Sequence, residues 1–291
     1  EPSGLIEEPP GPKPLSPSPG DWVVTGTEVR EDEVITLTGN LIVKPGGNLT
    51  LINCTLYMNC TYNRGWRIEV ESEGILNVLE GSVLTACNVS YKFSFVVYGR
   101  LIMKNSELHG CSGLTIRGNE GVLIENSCIS HCSYAIIFPD SDYDASGNAT
   151  IVGSTIIDNR HGIWFGEPFG CITSSTRDVF IVNCTIANNT SYGIYGGLTN
   201  PGSKIVIAGC KIYQNGVGIH FHDTTHISIL YCDIRNCSTG IDIAYAGDID
   251  VNFCNITSNT RHGLYVEDHC DVNATFCWWG SPDGPEFKRE G

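Results

Sequence analysis

The sequence contains few charged residues, and positive charge is especially scarce. Lys and Arg number 17 against 32 Asp and Glu, which gives a net charge of −15. Nucleic acids and anionic membranes bind clustered Lys and Arg, so this balance argues against both as partners. No run of about 18 apolar residues is present, and no membrane-spanning segment is therefore expected.

Helical periodicity and common metal motifs are also missing. Apolar residues do not recur with the spacing of an amphipathic helix. The chain has 14 Cys, yet it contains neither a CxxCH haem motif nor the paired CxxC spacing of zinc sites. The cysteines are therefore predicted to form disulfides, to pack in the core as thiols, or both.

N-glycosylation sequons are abundant and predict a secreted or cell-surface protein with N-linked glycans. Frequent Asn and Thr in turns are the alternative explanation. The sequons begin at Asn48, Asn53, Asn59, Asn88, Asn148, Asn183, Asn188, Asn189, Asn236, Asn255 and Asn273.

The N-terminal segment differs from the rest of the chain because it is rich in proline. It begins EPSGLIEEPPGPKPLSPSPG, and proline at this density does not enter sheets or helices. We predict an extended, polyproline-like tail over 1–21, a β-rich domain over 22–285, and a short C-terminal tail over 286–291.

From Trp22 onward the chain repeats a unit of 21–30 residues. Clear copies are FIVNCTIANNTSYGIYG from Phe180, IVIAGCKIYQNGVGIHF from Ile205 and ISILYCDIRNCSTGIDI from Ile227. Short β-branched runs alternate in these copies with Asn and Gly turns. A β-sandwich would instead place strands every 8–12 residues without such long-range identity, so the repeat predicts an all-β parallel solenoid of about ten coils.

Aligned copies predict rows of like side chains along the solenoid. One row of small residues contains Cys54, Ser82, Ser106, Ser127, Ser154, Cys184, Cys210, Cys232, Cys254 and Cys277. Two residues later comes an aliphatic row, on the same strand face. A polar row one turn later contains Asn59, Cys87, Cys111, Cys132, Asn159, Asn189, Asn215, Cys237 and Asn259. Inward Asn side chains in that row are expected to hydrogen-bond from coil to coil.

These repeats resemble the right-handed, single-stranded parallel β-helix of the pectate-lyase-like superfamily. They are most similar to its NosD-like/CASH group and to archaeal cell-surface β-helix proteins. The segment WWGSPDGP from Trp278 is similar to the motif that closes many such domains. The resemblance implies a fold shared by lyases, hydrolases, binding modules and structural shells, so it does not select a function.

One outer row and the insertions next to it are the candidate binding region. Insertions follow the G-I-x-F strand of several copies, and repeat proteins commonly place functional loops on one face. The neighbouring outward row is a candidate groove for a glycan or another subunit, with a solvated strand face as the alternative. Its chemically distinctive members are Trp164, Tyr195, His220, Asp242 and Tyr265.

Two metal sites are conceivable from the sequence. Asp140, Asp142 and Asp144 alternate within one insertion and offer three oxygens for Ca²⁺, although the loop departs from the EF-hand pattern. A solvated acidic loop is the alternative, and no cofactor is required. His220 and His222 point outward with Asp223 and His226 nearby, and they are a candidate transition-metal site. An exposed polar face is the alternative.

Cysteines at turns, in loops or on outer positions are the disulfide candidates, within the chain or between subunits. Those of the inner small-residue row are expected to be mostly packed thiols, because parallel Cβ directions disfavour bonding. The candidates are Cys60, Cys87, Cys111, Cys128, Cys132, Cys171 and Cys270.

No catalytic residues are assigned, because the motifs typical of polygalacturonases and pectate lyases are missing. The first hypothesis is an extracellular, glycosylated structural protein that assembles with copies of itself into a surface layer, sheath or filament. The alternative is a polysaccharide-active enzyme, a lyase or a hydrolase, or a glycan-binding module.

Overall fold

A computed structural model describes the chain over 20–118, 120–139, 147–166, 177–197, 203–224, 226–267 and 270–281. Nearly all of the predicted N-terminal tail, 1–21, lies outside the described residues. The predicted C-terminal tail, 286–291, lies outside them entirely.

The described residues form strands and contain no helix. In chain order the strands are β1 Trp22–Val24, β2 Thr27–Glu31, β3 Val34–Leu37, β4 Leu41–Val43, β5 Asn48–Ile52, β6 Thr55–Met58, β7 Arg67–Val70, β8 Ile75–Leu79, β9 Val83–Ala86, β10 Phe93–Val97, β11 Arg100–Lys104, β12 Glu107–His109, β13 Cys111–Ile116, β14 Val122–Glu125, β15 Cys128–Ser130, β16 Tyr134–Phe138, β17 Ala149–Val152, β18 Thr155–Ile157, β19 His161–Phe165, β20 Val179–Val182, β21 Thr185–Ala187, β22 Tyr192–Gly197, β23 Ile205–Ala208, β24 Lys211–Tyr213, β25 Val217–His222, β26 Ile227–Leu230, β27 Asp233–Arg235, β28 Thr239–Ala244, β29 Ile249–Asn252, β30 Asn255–Thr257, β31 His262–Val266 and β32 Val272–Thr275.

Every third strand pairs in parallel, which makes three sheets that wind into a right-handed β-helix. Sheet A begins with β1 and sheet B with β2, and each has 11 strands within the described residues; sheet C begins with β3 and has ten. The predicted all-β parallel solenoid is confirmed, and its size is close to the ten coils expected.

The predicted rows are present because inward side chains alternate with outward ones along each strand. In sheet C, Ile129 pairs with Ile156 and Ile156 with Ile186, and all three are buried. Burying such a side chain stabilises the fold by about 1.5–3 kcal/mol. No coil has an interior of its own, so neighbouring coils complete each other's core.

The turn from sheet B to sheet C requires a residue with positive φ in each coil. Asn or Gly occupies it in many coils, for example Asn105 (φ 49°) and Asn183 (φ 53°), and both residue types tolerate this conformation. The last three coils instead have Tyr231, Phe253 and Phe276 there, with φ of 55°, 57° and 54°.

The small-residue row directly after this turn is built from serine in one region and cysteine in another. Ser127 Oγ accepts from the Ser106 backbone N–H at 3.2 Å and donates to the Glu125 carbonyl at 2.8 Å. Cys210 Sγ lies 3.4 Å from the carbonyl oxygens of both Ala208 and Ile181. A hydrogen bond to Cys210 and burial raise the pKa of the Cys184 thiol.

An asparagine ladder runs through the turn from sheet C to sheet A, as predicted for the polar row. Asn189 Oδ1 accepts from Asn159 Nδ2 at 3.1 Å, and Asn215 Oδ1 accepts from Asn189 Nδ2 at 2.9 Å. Asn189 is fully buried. A Cβ on Gly193 would lie 2.6 Å from the Gly218 carbonyl oxygen, so close backbone stacking explains the neighbouring glycine row. Asn59 and Cys87, placed inward by the repeat, are exposed in the looser early coils.

The predicted disulfides are not formed among the described residues, where every cysteine is a free thiol. Cys111 and Cys132 occupy equivalent positions of successive coils, so their Cβ atoms point in parallel, which disfavours an S–S bond. Their thiols hydrogen-bond to each other and contact backbone groups of their own turns. The other described candidates, Cys60, Cys87, Cys128 and Cys270, are likewise unbonded, and Cys171 lies outside the described residues.

The two ends of the β-helix are closed differently. In the first coil the side chain of Arg30 is buried, lies 3.3 Å from Glu28 and stacks 5.3 Å from the Trp22 ring. An inward charge at an edge discourages pairing with another sheet.

The last strands of sheets A and B, β31 and β32, are only partly buried. Trp278 pairs with Asn255, and Trp279 packs on Gly263. These two residues begin the predicted cap, whose residues 282–285 lie outside the described part of the chain.

Candidate functional site

The outward row on sheet A has the arrangement that the sequence predicts. Trp164 pairs with Tyr195, Tyr195 with His220, His220 with Asp242 and Asp242 with Tyr265. All five side chains are half-buried. The strands β16, β19 and β22 lead into segments 140–146, 167–176 and 198–202, which lie outside the described residues, so the insertions do follow this sheet.

Ring stacking organises the row along the axis of the β-helix. The Trp164 and Tyr195 ring centroids are 3.7 Å apart with 15° between the planes, and Tyr195 and His220 are 5.2 Å apart at 18°. A second, parallel stack places His161 between Tyr134 and Tyr192, at 4.6 and 6.0 Å. Rings stacked in this way cover each other's faces and present their polar edges to a ligand.

Hydrogen bonds orient two histidines on this face, which we call the histidine face and define as Trp164, Tyr195, His220, His222, Asp223 and Asp242. Asp242 Oδ2 lies 3.0 Å from His220 Nδ1. Asp223 Oδ2 lies 3.2 Å from His222 Nδ1, and the Tyr195 hydroxyl lies 2.7 Å from His222 Nε2. If His222 Nδ1–H donates to Asp223, Nε2 accepts the Tyr195 proton. The result is a chain Asp223–His222–Tyr195 beside an Asp242–His220 pair.

Burial shifts two pKa values beside these groups. Burial and, to a lesser degree, nearby Arg160 lower the pKa of His161 to about 4. Burial and the neighbouring Tyr192 raise the pKa of Tyr195. Tyr195 is therefore a protonated hydrogen-bond donor at neutral pH.

Two ring nitrogens at the edge of the histidine face remain unpaired within the described part of the chain. His161 Nδ1 and Trp164 Nε1 are both buried without a hydrogen-bond partner, and their rings are 5.0 Å apart. Buried polar atoms are normally satisfied by protein, water or a ligand. They therefore mark a place where a polar group of a ligand would be stabilised.

The histidines do not form the transition-metal site considered from the sequence. His222 is paired with Asp223 and Tyr195, and His226 lies 3.8 Å from Asp248. No group of three metal-ligating side chains exists within the described residues. The predicted calcium ligands Asp140, Asp142 and Asp144 lie outside those residues, so that site remains a prediction.

The sequence repeat did not reveal the Tyr195–His222 contact. The repeat aligns Tyr195 with His220, whereas His222 reaches Tyr195 diagonally from two residues further along the next strand. The available signal was that Tyr195, His220 and His222 all occupy outward positions on adjacent strands.

Most sequon asparagines lie on the surface. Exposed ones are Asn53, Asn59, Asn88, Asn148, Asn183, Asn188, Asn236 and Asn273, and Asn48 and Asn255 are half-buried. The amide of Asn189 is occupied by the ladder and is inaccessible in the folded chain. A glycan there would break the ladder, so glycosylation remains a prediction for the other ten.

Comparisons with known proteins agree with this architecture. Crystal structures of the periplasmic alginate epimerase AlgG superpose with a TM-score of 0.61 at 13% identity, over 82% of this chain and 62% of the epimerase. Pectate lyase Pel9A superposes with a TM-score of 0.53 at 15% identity, over 81% of this chain and 70% of the lyase. The chain therefore spans less than two thirds of the epimerase, and identities this low show the fold alone.

A search of curated protein sequences finds no match. Within the described residues, no helix is long and apolar enough to cross a membrane. The family model of the right-handed β-helix region matches residues 39–169 and 165–278. The chain belongs to this right-handed β-helix family.

Proposed function

We propose that the chain is an extracellular, polysaccharide-active β-helix protein that binds its glycan along the histidine face. When a glycan binds, the Tyr195 hydroxyl turns its proton from His222 Nε2 to the glycosidic oxygen whose bond to the sugar carbon breaks. His220, held by Asp242, accepts a proton from the water that attacks that carbon. The abundant sequons and the periplasmic location of the epimerase of similar fold support an extracellular site. The fold also occurs in the alginate epimerase and the pectate lyase, which supports a polysaccharide as the substrate class.

The observation that carries the proposal is the pair of Asp-oriented histidines on one open face. Asp223 and Asp242 each hold one imidazole through Nδ1, which fixes the position of Nε2 for proton transfer. A purely structural face has no need of two such pairs around a tyrosine with a raised pKa.

The charge of the face favours an uncharged glycan. Strands β16, β19, β22, β25, β28 and β31 contain no Lys or Arg, and the row includes Asp242. A polyuronate would meet the Asp242 carboxylate on strands that offer no compensating cation. We therefore expect neutral polysaccharides to bind more tightly than polyuronates.

The test compares binding and turnover on a panel of neutral and acidic polysaccharides. Tyr195→Phe and His220→Asn are expected to reduce the rate of product formation by about 10²–10⁴-fold, with little effect on glycan affinity. Tyr213→Phe, in strand β24 of sheet C, is the matched control and should leave both unchanged. The proposal would be refuted if the wild-type chain bound no polysaccharide, or if all three variants turned over substrate equally.

The role predicted first, a subunit of a surface layer, sheath or filament, remains a hypothesis. A structural role and a glycan-binding face are compatible, because they would use different sides of the β-helix. Calcium binding by Asp140, Asp142 and Asp144 is a separate prediction, which calorimetry with Ca²⁺ tests.

A further inference from the structure

Three exposed aromatic rings form a ridge on the turn between sheets B and C, on a different side from the histidine face. We call Tyr231, Phe253 and Phe276 the aromatic ridge. Adjacent ring centroids are 5.0 Å apart, with planes within 10° and 6° of parallel. Their exposed fractions are 64%, 48% and 78%.

The ridge is costly to the fold. Each of its residues has a positive φ, which costs roughly 1–2 kcal/mol for a residue other than Gly, Asn or Asp. Coils nearer the N-terminus relieve this cost with Asn53, Asn126, Asn183 and Gly209 at the same position. Stacking returns only about 0.5–1.5 kcal/mol per pair, and the rings stay largely in water. Folding alone does not account for the ridge, which indicates an interaction surface.

The size and shape of the ridge fit an extended peptide. Three aromatic side chains of about 150–250 Å² each, roughly two-thirds exposed, offer on the order of 400 Å². A stable interface between folded partners needs about 800 Å² per partner. Proline-rich segments in a polyproline helix instead bind along short, aromatic-lined surfaces, and the flanks of the ridge offer a row of three ring edges.

The chain has such a segment, and its proline spacing matches the ridge. Pro9 and Pro12, and likewise Pro14 and Pro17, are three residues apart, which is one polyproline turn of about 9 Å. Tyr231 and Phe276 are two ring spacings of 5.0 Å apart. The two prolines of a pair can therefore contact the two ends of the ridge at once, one at Tyr231 and the other at Phe276. Lys13 lies between the pairs, and exposed Asp250 lies on strand β29, which leads to Phe253.

These prolines cannot reach the ridge of their own chain. Tyr231 follows the ninth strand of sheet B. The ridge therefore begins eight coil steps, or about 38 Å, from the first coil. A polyproline segment extending from Gly20 reaches only about 34 Å at Pro9 and about 9 Å at Pro17. We propose that the aromatic ridge binds the segment containing Pro9, Pro12, Pro14 and Pro17 of a second copy. The ridge lies far along the β-helix from Gly20, to which the segment is attached, so this contact links copies head to tail.

The first experiment measures self-association of the full chain by sedimentation velocity over a range of concentrations. The ridge variant Tyr231→Asn/Phe253→Asn/Phe276→Asn restores the residue found at this turn in earlier coils, so the fold should be retained. Association is expected to weaken about tenfold or more, as the loss of three aromatic contacts implies.

Tyr245→Asn is the matched control, because Tyr245 is also exposed, at 67%, and has a φ of 49° outside the ridge. It should leave association unchanged. A wild-type chain that stays monomeric, or equal weakening in the control, overturns the proposal.

A mixing experiment tests the partner segment. The segment variant Pro9→Ala/Pro12→Ala/Pro14→Ala/Pro17→Ala and the ridge variant should each be monomeric alone. Mixed, they should form heterodimers that do not grow further, because only one ridge and one intact segment remain. Failure to form these heterodimers refutes the assignment. So does a wild-type ridge that binds soluble oligosaccharides but not a peptide of residues 5–20.

Discussion

The two halves of the β-helix share a backbone and differ in the chemistry that it displays. The N-terminal half, 22–138, has a small-residue row made mostly of serine, whereas the C-terminal half, 147–281, has Cys184, Cys210, Cys232, Cys254 and Cys277 there. The asparagine ladder and the aromatic ridge lie wholly in the C-terminal half, as does the histidine face.

This difference shows which positions the repeat constrains. The inward aliphatic positions are alike in both halves, because every coil must bury the same face of its neighbour. Outward and turn positions need only avoid disturbing the pairing of strands. The side chains of both proposed binding surfaces therefore lie in one half without any change of fold.

The largest effect that separates the halves is expected at the asparagine ladder. Asn189→Ala would leave buried groups of Asn159 and Ile156 unpaired, and each unpaired group costs about 1–3 kcal/mol. We expect a loss of at least about 3 kcal/mol in the free energy of unfolding, measured by urea denaturation.

The N-terminal counterpart in the same row is Cys132. Cys132→Ala removes a small buried side chain but keeps the bond from its backbone N–H to Asn159. It should cost about 1 kcal/mol. Equal losses at Asn189 and Cys132 would mean that the amide ladder contributes no special stability.

The second prediction concerns the pH dependence of stability, which we attribute to the buried His161. Its pKa of about 4 is below the ordinary 6.5, so between these values the unfolded chain binds more protons than the folded one. Stability is therefore complete above pH 6.5 and falls as the pH drops towards 4, by up to about 3 kcal/mol. His161→Phe should flatten this dependence.

His262 occupies the equivalent repeat position four coils later in the same half and is only half-buried. His262→Phe is the matched control and should leave the wild-type pH dependence intact. Urea midpoints across this pH range measure both variants; a steep dependence that survives His161→Phe contradicts the assignment.

The smallest effect is expected from exchanging the small residues between the halves. Ser127→Cys removes the hydroxyl that accepts from Ser106 and should cost about 1–2 kcal/mol. Cys210→Ser keeps a donor to the nearby carbonyls and should cost less, under about 1 kcal/mol. Thermal melts of both variants test this order, and the reverse order would show that packing of the thiols outweighs hydrogen bonding.

The fold was predictable because its interactions recur at the repeat spacing. Ile129, Ile156 and Ile186 occupy one row in the sequence and one row in the structure, and the same holds for Trp164, Tyr195 and His220. Parallel pairing converts sequence alignment into spatial register, so each confirmed row follows from the others.

Features that depend on contacts between different rows were not predictable. The Tyr195–His222 bond crosses diagonally between coils, and the stacking of Tyr231 on Phe253 depends on the φ of a turn. Asn59 follows the repeat in sequence, but an irregular turn leaves it exposed. The disulfide prediction applied the argument from parallel Cβ directions only to the inner small-residue row, although Cys111 and Cys132 stack in the same way.

The unequal ends have a mechanical consequence. At the first coil, Arg30 ties Glu28 and Trp22 together, whereas β31 and β32 at the other end are only partly covered. A pulling force applied to both termini would peel the last coil away first, and rupture would then proceed turn by turn towards the sealed end. The molecule would unfold in steps of one coil, and it would refold from the first coil.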